Sequence, residues 1–322
     1  MSKYILDFEK PIKAIEDKII SLNDTSSSSD IDLKDSITSL NFQLENEKKR
    51  IYSNLSRWQK IQIARHPQRP HSSDFIKYLS DEWIEIHGDR KFSDDPSIIA
   101  GISMINESKC IIIAQEKGKN TKDKVYRNFG MPKPEGYRKA LRVMKIAEKF
   151  NLPIVTLIDT PGAYPGIGAE ERGQSQAIAD NLFTMSSLKV PIISIVIGEG
   201  ASGGALAIGL ADTIICLEYT WYSVISPEGC ASILFRDTSK SPAAADSMKV
   251  SSVDLLDMGI ADEIIHEPLG GAHHNPDFVF ESVKNKILEK ILIFNEINSS
   301  DLIDNRLKKY DNIGVYNKDK NI

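Results

Sequence analysis

The stretch Pro191-Ile192-Ile193-Ser194-Ile195-Val196-Ile197-Gly198-Glu199-Gly200-Ala201-Ser202-Gly203-Gly204-Ala205 decides the fold class. Its first half is a β-branched run, too continuous for a strand with one wet face, and predicts a strand over residues 191–197 that is buried on both sides. Its second half reads as a glycine loop, Gly198 to Gly204, opening a helix over residues 205–210. A phrase of the same build lies 38 residues upstream, where Asn151-Leu152-Pro153-Ile154-Val155 parallels Lys189-Val190-Pro191-Ile192-Ile193. That earlier strand, residues 154–158, runs through a Gly/Pro loop into a helix over residues 174–188. Strand, crossover helix and strand form the α/β pattern of a buried sheet. A third unit, Tyr222 to Gly229, again joins a strand to a turn and a helix start, which suggests stacked strand-strand-helix units.

Working outward, residues 98–102 and 109–114 are short β-branched runs split by a turn at Asn106 to Ser108, a hairpin signal. Ala140, Leu141, Met144, Ala147 and Phe150 share one helical face, with Lys139, Arg142, Lys145 and Lys149 elsewhere around it, as expected of a surface helix covering a sheet. At the N-terminal end Phe8, Ile12, Ile15, Ile19 and Leu22 stripe a first helix. The tract from Asp24 to Asp30 has nothing to bury and predicts a linker. Leu33, Ile37, Leu40 and Leu44, continued by Ile51, Leu55 and Trp58, stripe a second helix. Pro67 and Pro70 end this arm. Phe278, Val283, Ile287, Ile291 and Phe294 mark a C-terminal helix over residues 277–298, with a mobile polar end beyond Asn298. The expected division is a helical arm over 1–70, a core over 71–275, and a C-terminal helix with a mobile tail over 276–322.

Charge and cysteine content narrow the function. The 322 residues hold 40 Lys+Arg against 45 Asp+Glu, a net charge of −5, so no overall field draws nucleic acid or anionic lipid. Cys110, Cys216 and Cys230 are far apart with no C-x-x-C spacing, which argues against a disulfide scaffold and against a cysteine-built zinc site. No apolar run approaches the ~20 residues of a membrane span, and Met1-Ser2-Lys3-Tyr4 leads into charge rather than a signal or transit sequence. The expectation is a chain that stays where it is made, in a reducing compartment.

Two loops carry the chemical signal. Gly198 to Ala205 places amide N–H groups at a helix N-terminus, a cradle for an oxyanion or phosphate. The glycines could equally serve close helix–strand packing. The loop also spells G-x-S-x-G from Gly200 to Gly204, so Ser202 must be weighed as a hydrolase nucleophile, with Asp257 or Asp262 and His266, His273 or His274 downstream. No His-Gly-Gly-type loop lies upstream to support that reading. The other loop, Ile158 to Gly173, contains a D-x-x-G phrase at Asp159 to Gly162. The required G-x-x-x-x-G-K-[ST] is absent, which sets GTP hydrolysis aside. Its length favours a working loop over a plain connection. Glu170 and Glu171 suit acid/base duty or, more simply, the first turn of a helix. The stretch Lys117 to Gly136 gathers positive charge, as a phosphate or carboxylate site would.

Taken together, Arg127-Asn128-Phe129-Gly130-Met131-Pro132, Gly136-Tyr137-Arg138-Lys139-Ala140-Leu141, the Ile158–Gly173 and Gly198–Gly209 segments, Ser223 to Leu234 and Glu267 to His273 resemble one family. It is the α subunit of the carboxyltransferase component of multi-subunit acetyl-CoA carboxylase, and the resemblance covers nearly the whole chain. Ala201 stands where the family often has glycine, and Glu116 where a neutral residue is usual. The resemblance implies a crotonase-like fold, a spiral of strand-strand-helix units. It implies transfer of a carboxyl group from carboxybiotin, borne on a separate carrier protein, to acetyl-CoA, giving malonyl-CoA for fatty acid synthesis. It implies a β subunit with a zinc ribbon in an α2β2 assembly, a biotin carboxylase that alone uses ATP, and no metal, nucleic acid or membrane for this chain. The cytoplasm or a plastid stroma would suit it. By the same resemblance the amides around Gly203, Gly204 and Ala205 stabilise negative charge on the departing ureido oxygen. Gly162, Ala163 and Tyr164 would line the opposite wall, Gly200 and Ser202 the loop itself, with Lys117, Lys119 and Arg172 as candidate carboxylate or phosphate contacts.

Overall fold

The computed structural model describes residues 4–28 and 33–314. It opens with α1 (Lys10–Ser28) and α2 (Lys34–Tyr52), whose stripes close over Ile12, Leu44 and Tyr52 together with Ile63 and Tyr219. The expected linker is helical as far as Ser28. Hydroxyls of Thr25, Ser27 and Ser28 each donate to the carbonyl four residues back at 2.8 Å, which satisfies these side chains inside a helix. Residues 29–32 of that linker lie outside the described residues. The second stripe also divides: α3 (Arg57–Ala64) starts afresh at Ser56, whose Oγ accepts from Gln59 N while Gln59 Oε1 accepts from Ser56 N. The arm is bolted to the rest by Arg57 on Asp254 and by the buried Arg69, which donates to both Glu267 oxygens at 2.6 and 2.8 Å and to Ile197 O at 2.7 Å.

Beyond the arm come α4 (Ser72–Leu79), the short β1 (Glu82–Glu85) and the predicted hairpin, β2 (Ile98–Ile105) with β3 (Ser108–Gln115), turned by Asn106 at φ +49°. Next follow α5 (Thr121–Tyr126), α6 (Pro134–Lys149), β4 (Ile154–Thr160), α7 (Ile167–Glu171), α8 (Gln174–Ser187), β5 (Ile192–Ala201), α9 (Ser202–Gly209) and β6 (Thr213–Leu217). The core closes with β7 (Trp221–Ser223), α10 (Pro227–Phe235), α11 (Ser241–Met248), α12 (Ser252–Asp257) and β8 (Glu263–Ile265). The strands run β1-β2-β3-β4-β5-β6-β8, parallel from β3 onward, and β7 pairs with the far end of β5.

The repeated phrase in the sequence is this register. Ile154 lies opposite Ile192, Ile154 N donates to Pro191 O at 2.8 Å, and the Thr156 and Ser194 hydroxyls meet at 2.7 Å. The apolar runs are continuous because both sheet faces are covered. Ile112, Val155, Leu157, Ile193, Ile195 and Ile215 point to α4 and α13 (Pro276–Asn295), whereas Ile111, Ile113, Ile154, Ile158 and Ile192 point to α6, α8 and α9.

Three expectations need correction. Lys139 is not on the wet side of α6 but fully buried, its Nζ held by Asp94 Oδ1 at 2.6 Å and Asp95 O at 2.8 Å. The glycine loop after β5 is largely strand, because Gly198 and Gly200 accept neighbours where a side chain would collide: an added Cβ would lie 2.3 Å from Asp159 Oδ1 or from Tyr222 Cδ2. The chain beyond Asn298 forms α14 (Ser299–Asp311), docked through the fully buried Arg306. The last of the expected mobile tail, residues 315–322, lies outside the described residues.

Candidate active site

β5 hands directly over to α9 at Ser202, which takes φ +58°. The positive φ of this turn falls on the serine and not on the neighbouring glycines, a conformation costing of order 1 kcal/mol for a residue with a Cβ. Ala201 is extended at φ −104°, a conformation open to any residue, so its side chain does not restrict the turn. The first four N–H groups of a helix have no acceptor within it, and no side chain caps this end. Their partial positive charge, reinforced by the helix dipole, is left for a ligand.

Gly204 explains how the two glycine-rich loops become one site. A Cβ there would lie 2.5 Å from Ala163 N and from Gly162 C, so backbone touches backbone. Only glycine permits that approach. Gly162 itself has φ +139° and donates to Thr160 Oγ1 at 3.0 Å; that hydroxyl lies 2.6 Å from Gly130 O. Gln115 Nε2 donates to Gly204 O at 2.7 Å while its Oε1 accepts from Asp159 N at 3.2 Å. Gln115 and Thr160 thus fix the seam. Neither was singled out from the sequence, because each acts through a partner at least 30 residues away along the chain.

Gly203 is half-buried, and its added Cβ would meet only Ile178, at 3.4 Å. With Ser202, Leu206, Tyr222, Ser223, Val224, Leu255 and Ile260 it lines a cleft of about 300 Å3. Gly204 and Ala205 lie behind it, buried. Of the three expected amide donors, Gly203 is the one that borders the cleft. Gly162, Ala163 and Tyr164, expected to form the opposite wall, do not border this cleft; they pack behind Gly204, where the Tyr164 amide donates to Pro132 O at 3.0 Å.

The expected cationic contacts are placed differently. Lys117 Nζ lies 2.6 Å from both Asp159 Oδ1 and Glu199 Oε2, its side chain largely covered, and Arg65 bonds Glu199 and Glu228. Burial alone would raise the Glu199 carboxyl; the Lys117 and Arg65 charges outweigh it and hold it below its usual range. Lys119 pairs with Asp74 at the surface. Arg172 donates to both Glu135 oxygens at 3.0 and 3.1 Å and lies over the Phe92 ring at 4.7 Å. All three charges are compensated within the chain. Glu170 and Glu171 are exposed on α7, away from any ion pair among the described residues.

A model of the family described as acetyl co-enzyme A carboxylase carboxyltransferase-like matches residues 5–314. A Staphylococcus haemolyticus protein named acetyl-coenzyme A carboxylase carboxyl transferase subunit alpha is 51% identical over 312 residues, covering 97% of this chain and 99% of the relative. The Staphylococcus aureus (strain N315) protein of that name is 50% identical over the same shares. The chain belongs to the acetyl co-enzyme A carboxylase carboxyltransferase-like family. Solved structures support the crotonase-like fold. Transcarboxylase 12S, solved with methylmalonyl-coenzyme A and methylmalonic acid bound, aligns with TM-score 0.55 at 19% identity over 79% of this chain, which spans 44% of that one. A Pseudomonas malonate decarboxylase hetero-tetramer in complex with coenzyme A aligns with TM-score 0.56 at 15% identity, over 72% of this chain and 90% of that one.

Family membership agrees with the geometry at Ser202. None of Asp257, Asp262, His266, His273 and His274 borders its cleft. His273 is instead stacked on His66 with ring centroids 3.8 Å apart, and His266 lies beside Glu218. The Ser, Asp, His order exists along the chain but not in space.

In this carboxyltransferase-family chain, Glu116 is a buried anchor. It accepts from Ser73 N at 2.7 Å and Gly118 N at 2.9 Å and meets His71 Nδ1 at 3.2 Å, fixing the turn before Lys119. Burial pushes its carboxyl up, but His71 and the two amides bring it down to about 2. A depressed carboxyl stabilises the fold fully above its unfolded pKa, and that contribution is lost as pH falls from about 4.5 to about 2. Glu116→Gln is therefore expected to lower Tm at neutral pH and to converge with the unmodified protein near pH 2, as a thermal-melt series across that range would show.

Proposed function

We propose that this chain is the biotin-side half of an acetyl-CoA carboxyltransferase, taking a carboxyl group from biotin on a separate carrier protein and passing it to acetyl-CoA to give malonyl-CoA. In the balanced transfer, the bond from carboxyl carbon to ring nitrogen breaks, a bond to the acetyl methyl carbon forms, and the methyl proton ends on that nitrogen. The observation that carries this reading is the uncapped start of α9, with Gly203 bordering an apolar cleft.

The donor set suits a bicyclic urea. Leu206, Val224, Leu255, Ile260 and the Tyr222 ring give apolar walls for a thioether-containing ring, and the Gly203 amide gives a preorganised donor for its oxygen. Such donors strengthen their hold as negative charge grows, and one of them is worth about 2.7–4 kcal/mol of barrier. The Gly162–Ala163 backbone pressed on Gly204 keeps the amides aimed. No side-chain base of this chain is required, and Ser202 serves as a turn residue. The carboxylates nearest the strand ends, Asp159 and Glu199, are neutralised by Lys117 and Arg65, which keeps the start of α9 clear of competing negative charge.

A second subunit holding the CoA thioester on a zinc-ribbon scaffold, in an α2β2 assembly, completes this reading, with a biotin carboxylase recharging the carrier at the expense of ATP. Exposed apolar side chains at Val224, Ile233, Leu234 and Val253 suit such a partner. No helix among the described residues is long and apolar enough to cross a membrane, and we assign the chain to the cytoplasm or a plastid stroma. The test is reconstitution: the chain alone should be almost inactive, and a zinc-ribbon partner should confer biotin-dependent decarboxylation of malonyl-CoA. Full activity of the isolated chain would contradict the proposal.

A further inference from the structure

The segment from Lys119 to Lys133 takes no part in the carboxyl-transfer site described above, yet it is fastened to the loop that packs against Gly204. Thr160 Oγ1 lies 2.6 Å from Gly130 O, the Tyr164 amide donates to Pro132 O at 3.0 Å, and Gln174 Nε2 donates to the same carbonyl at 2.9 Å. On its outer side the segment presents Val125, Tyr126 and Phe129, exposed by 62%, 66% and 50%. Phe129 is held out by an unusual backbone, since Asn128, Phe129 and Gly130 have φ of +48°, +56° and +75° in succession. That conformation is strained for phenylalanine. Asn128 Nδ2 donating to Met131 O at 2.8 Å and Arg127 Nη1 donating to Pro96 O at 2.7 Å hold it in place. A strained turn that lifts an aromatic ring into water, beside an active site, is accounted for by a partner that covers the ring.

The charge around these rings names the partner's chemistry. The chain as a whole is acidic, at −5, but between residues 119 and 133 five bases, Lys119, Lys122, Lys124, Arg127 and Lys133, face one acid, Asp123. Arg127 is engaged by Asp123 and Lys119 by Asp74. Among the described residues Lys122, Lys124 and Lys133 form no ion pair. Unpaired positive charge at a rim steers an oppositely charged partner and raises its rate of encounter without binding it tightly. A carrier that must leave after every turnover needs such a surface.

We propose that this basic, aromatic surface docks an acidic face of the carrier domain, with Tyr126 and Phe129 as its apolar anchors. The inference rests on the reading that a carrier delivers the carboxyl group. Its test uses the assembled complex with its partner subunit, and compares biotinylated carrier with free biotin, the smallest probe, each as acceptor of the carboxyl group of malonyl-CoA. Two variants are informative: Lys122→Glu, which reverses charge at an exposed residue, and Phe129→Gly, which removes the ring and relieves the left-handed strain. Each should raise KM for the carrier by about tenfold or more while the free-biotin rate stays within about twofold. Added salt should raise the unmodified complex's carrier KM and affect the charge-reversed complex less. An unchanged carrier KM, or an equal loss with free biotin, overturns the proposal. So does a rise in KM for malonyl-CoA instead, which would assign the patch to the phosphates of coenzyme A. An unmodified complex inactive with both probes overturns the carboxyltransferase reading itself, and the docking surface with it.

Discussion

Gly204→Ala is expected to cut carboxyl transfer by about 10²–10³-fold, the loss typical of one misplaced oxyanion donor. The new Cβ would need the space now held, at 2.5 Å, by Ala163 N and Gly162 C. Both are backbone atoms that cannot rotate aside, so the α9 start and the Gly162 loop must move apart. The sheet beneath depends on neither, and the variant should still assemble with its partner. Gly203→Ala is the fold control: its Cβ meets only Ile178 at 3.4 Å, so stability and assembly should be unchanged, while its rate reports on the cleft that Gly203 borders. Steady-state rates of the two variants, with assembly checked by co-purification, decide between an oxyanion site and a scaffold that merely organises the carrier. A scaffold would tolerate both substitutions, and the bulkier Gly204→Val as well.

The second large effect is on stability. Arg306 is wholly buried on α14 and donates to both oxygens of Asp212, to Met185 O and Leu188 O through Nη1 and to Val190 O through Nη2. Arg306→Ala takes the cation from a buried carboxylate, which keeps only the Ile192 amide, and the arginine donor from three carbonyls in one step. Removing one partner of such a pair is expected to cost about 3–5 kcal/mol, read as a fall in the denaturant midpoint at unchanged slope. Truncation before Ser299 should be at least as damaging. A tail that only waved in solvent would give no change in either case.

The contrast between these two sites shows what the amino-acid pattern could disclose. The parallel core was legible because burial on both faces demands unbroken β-branched runs, and the Ile154/Ile192 repeat is the pairing register written twice. The α9 loop was legible because only glycine tolerates the contact that Gly204 makes. Arg306 was hidden, since its partners lie 94 to 121 residues away and α14 by itself looks polar. Lys117 and Arg172 looked free for the same reason: each is neutralised by carboxylates from distant elements, and a charge run in sequence carries no record of that. Gly198 and Gly200 were read as loop because the residues filling their missing side chains, Asp159 and Tyr222, are brought in by the tertiary fold. The serine tract fell to helix because its hydroxyls bond their own helix, a local choice that composition leaves open.

The Gly203 amide at the start of α9 should meet the urea oxygen, and a crystal structure of the assembled complex with free biotin would show it. That oxygen is expected at about 2.7–3.1 Å from Gly203 N, in the cleft beside Tyr222 and Val224. A ring bound elsewhere, with Gly203 N bonded to water or to protein, would contradict it.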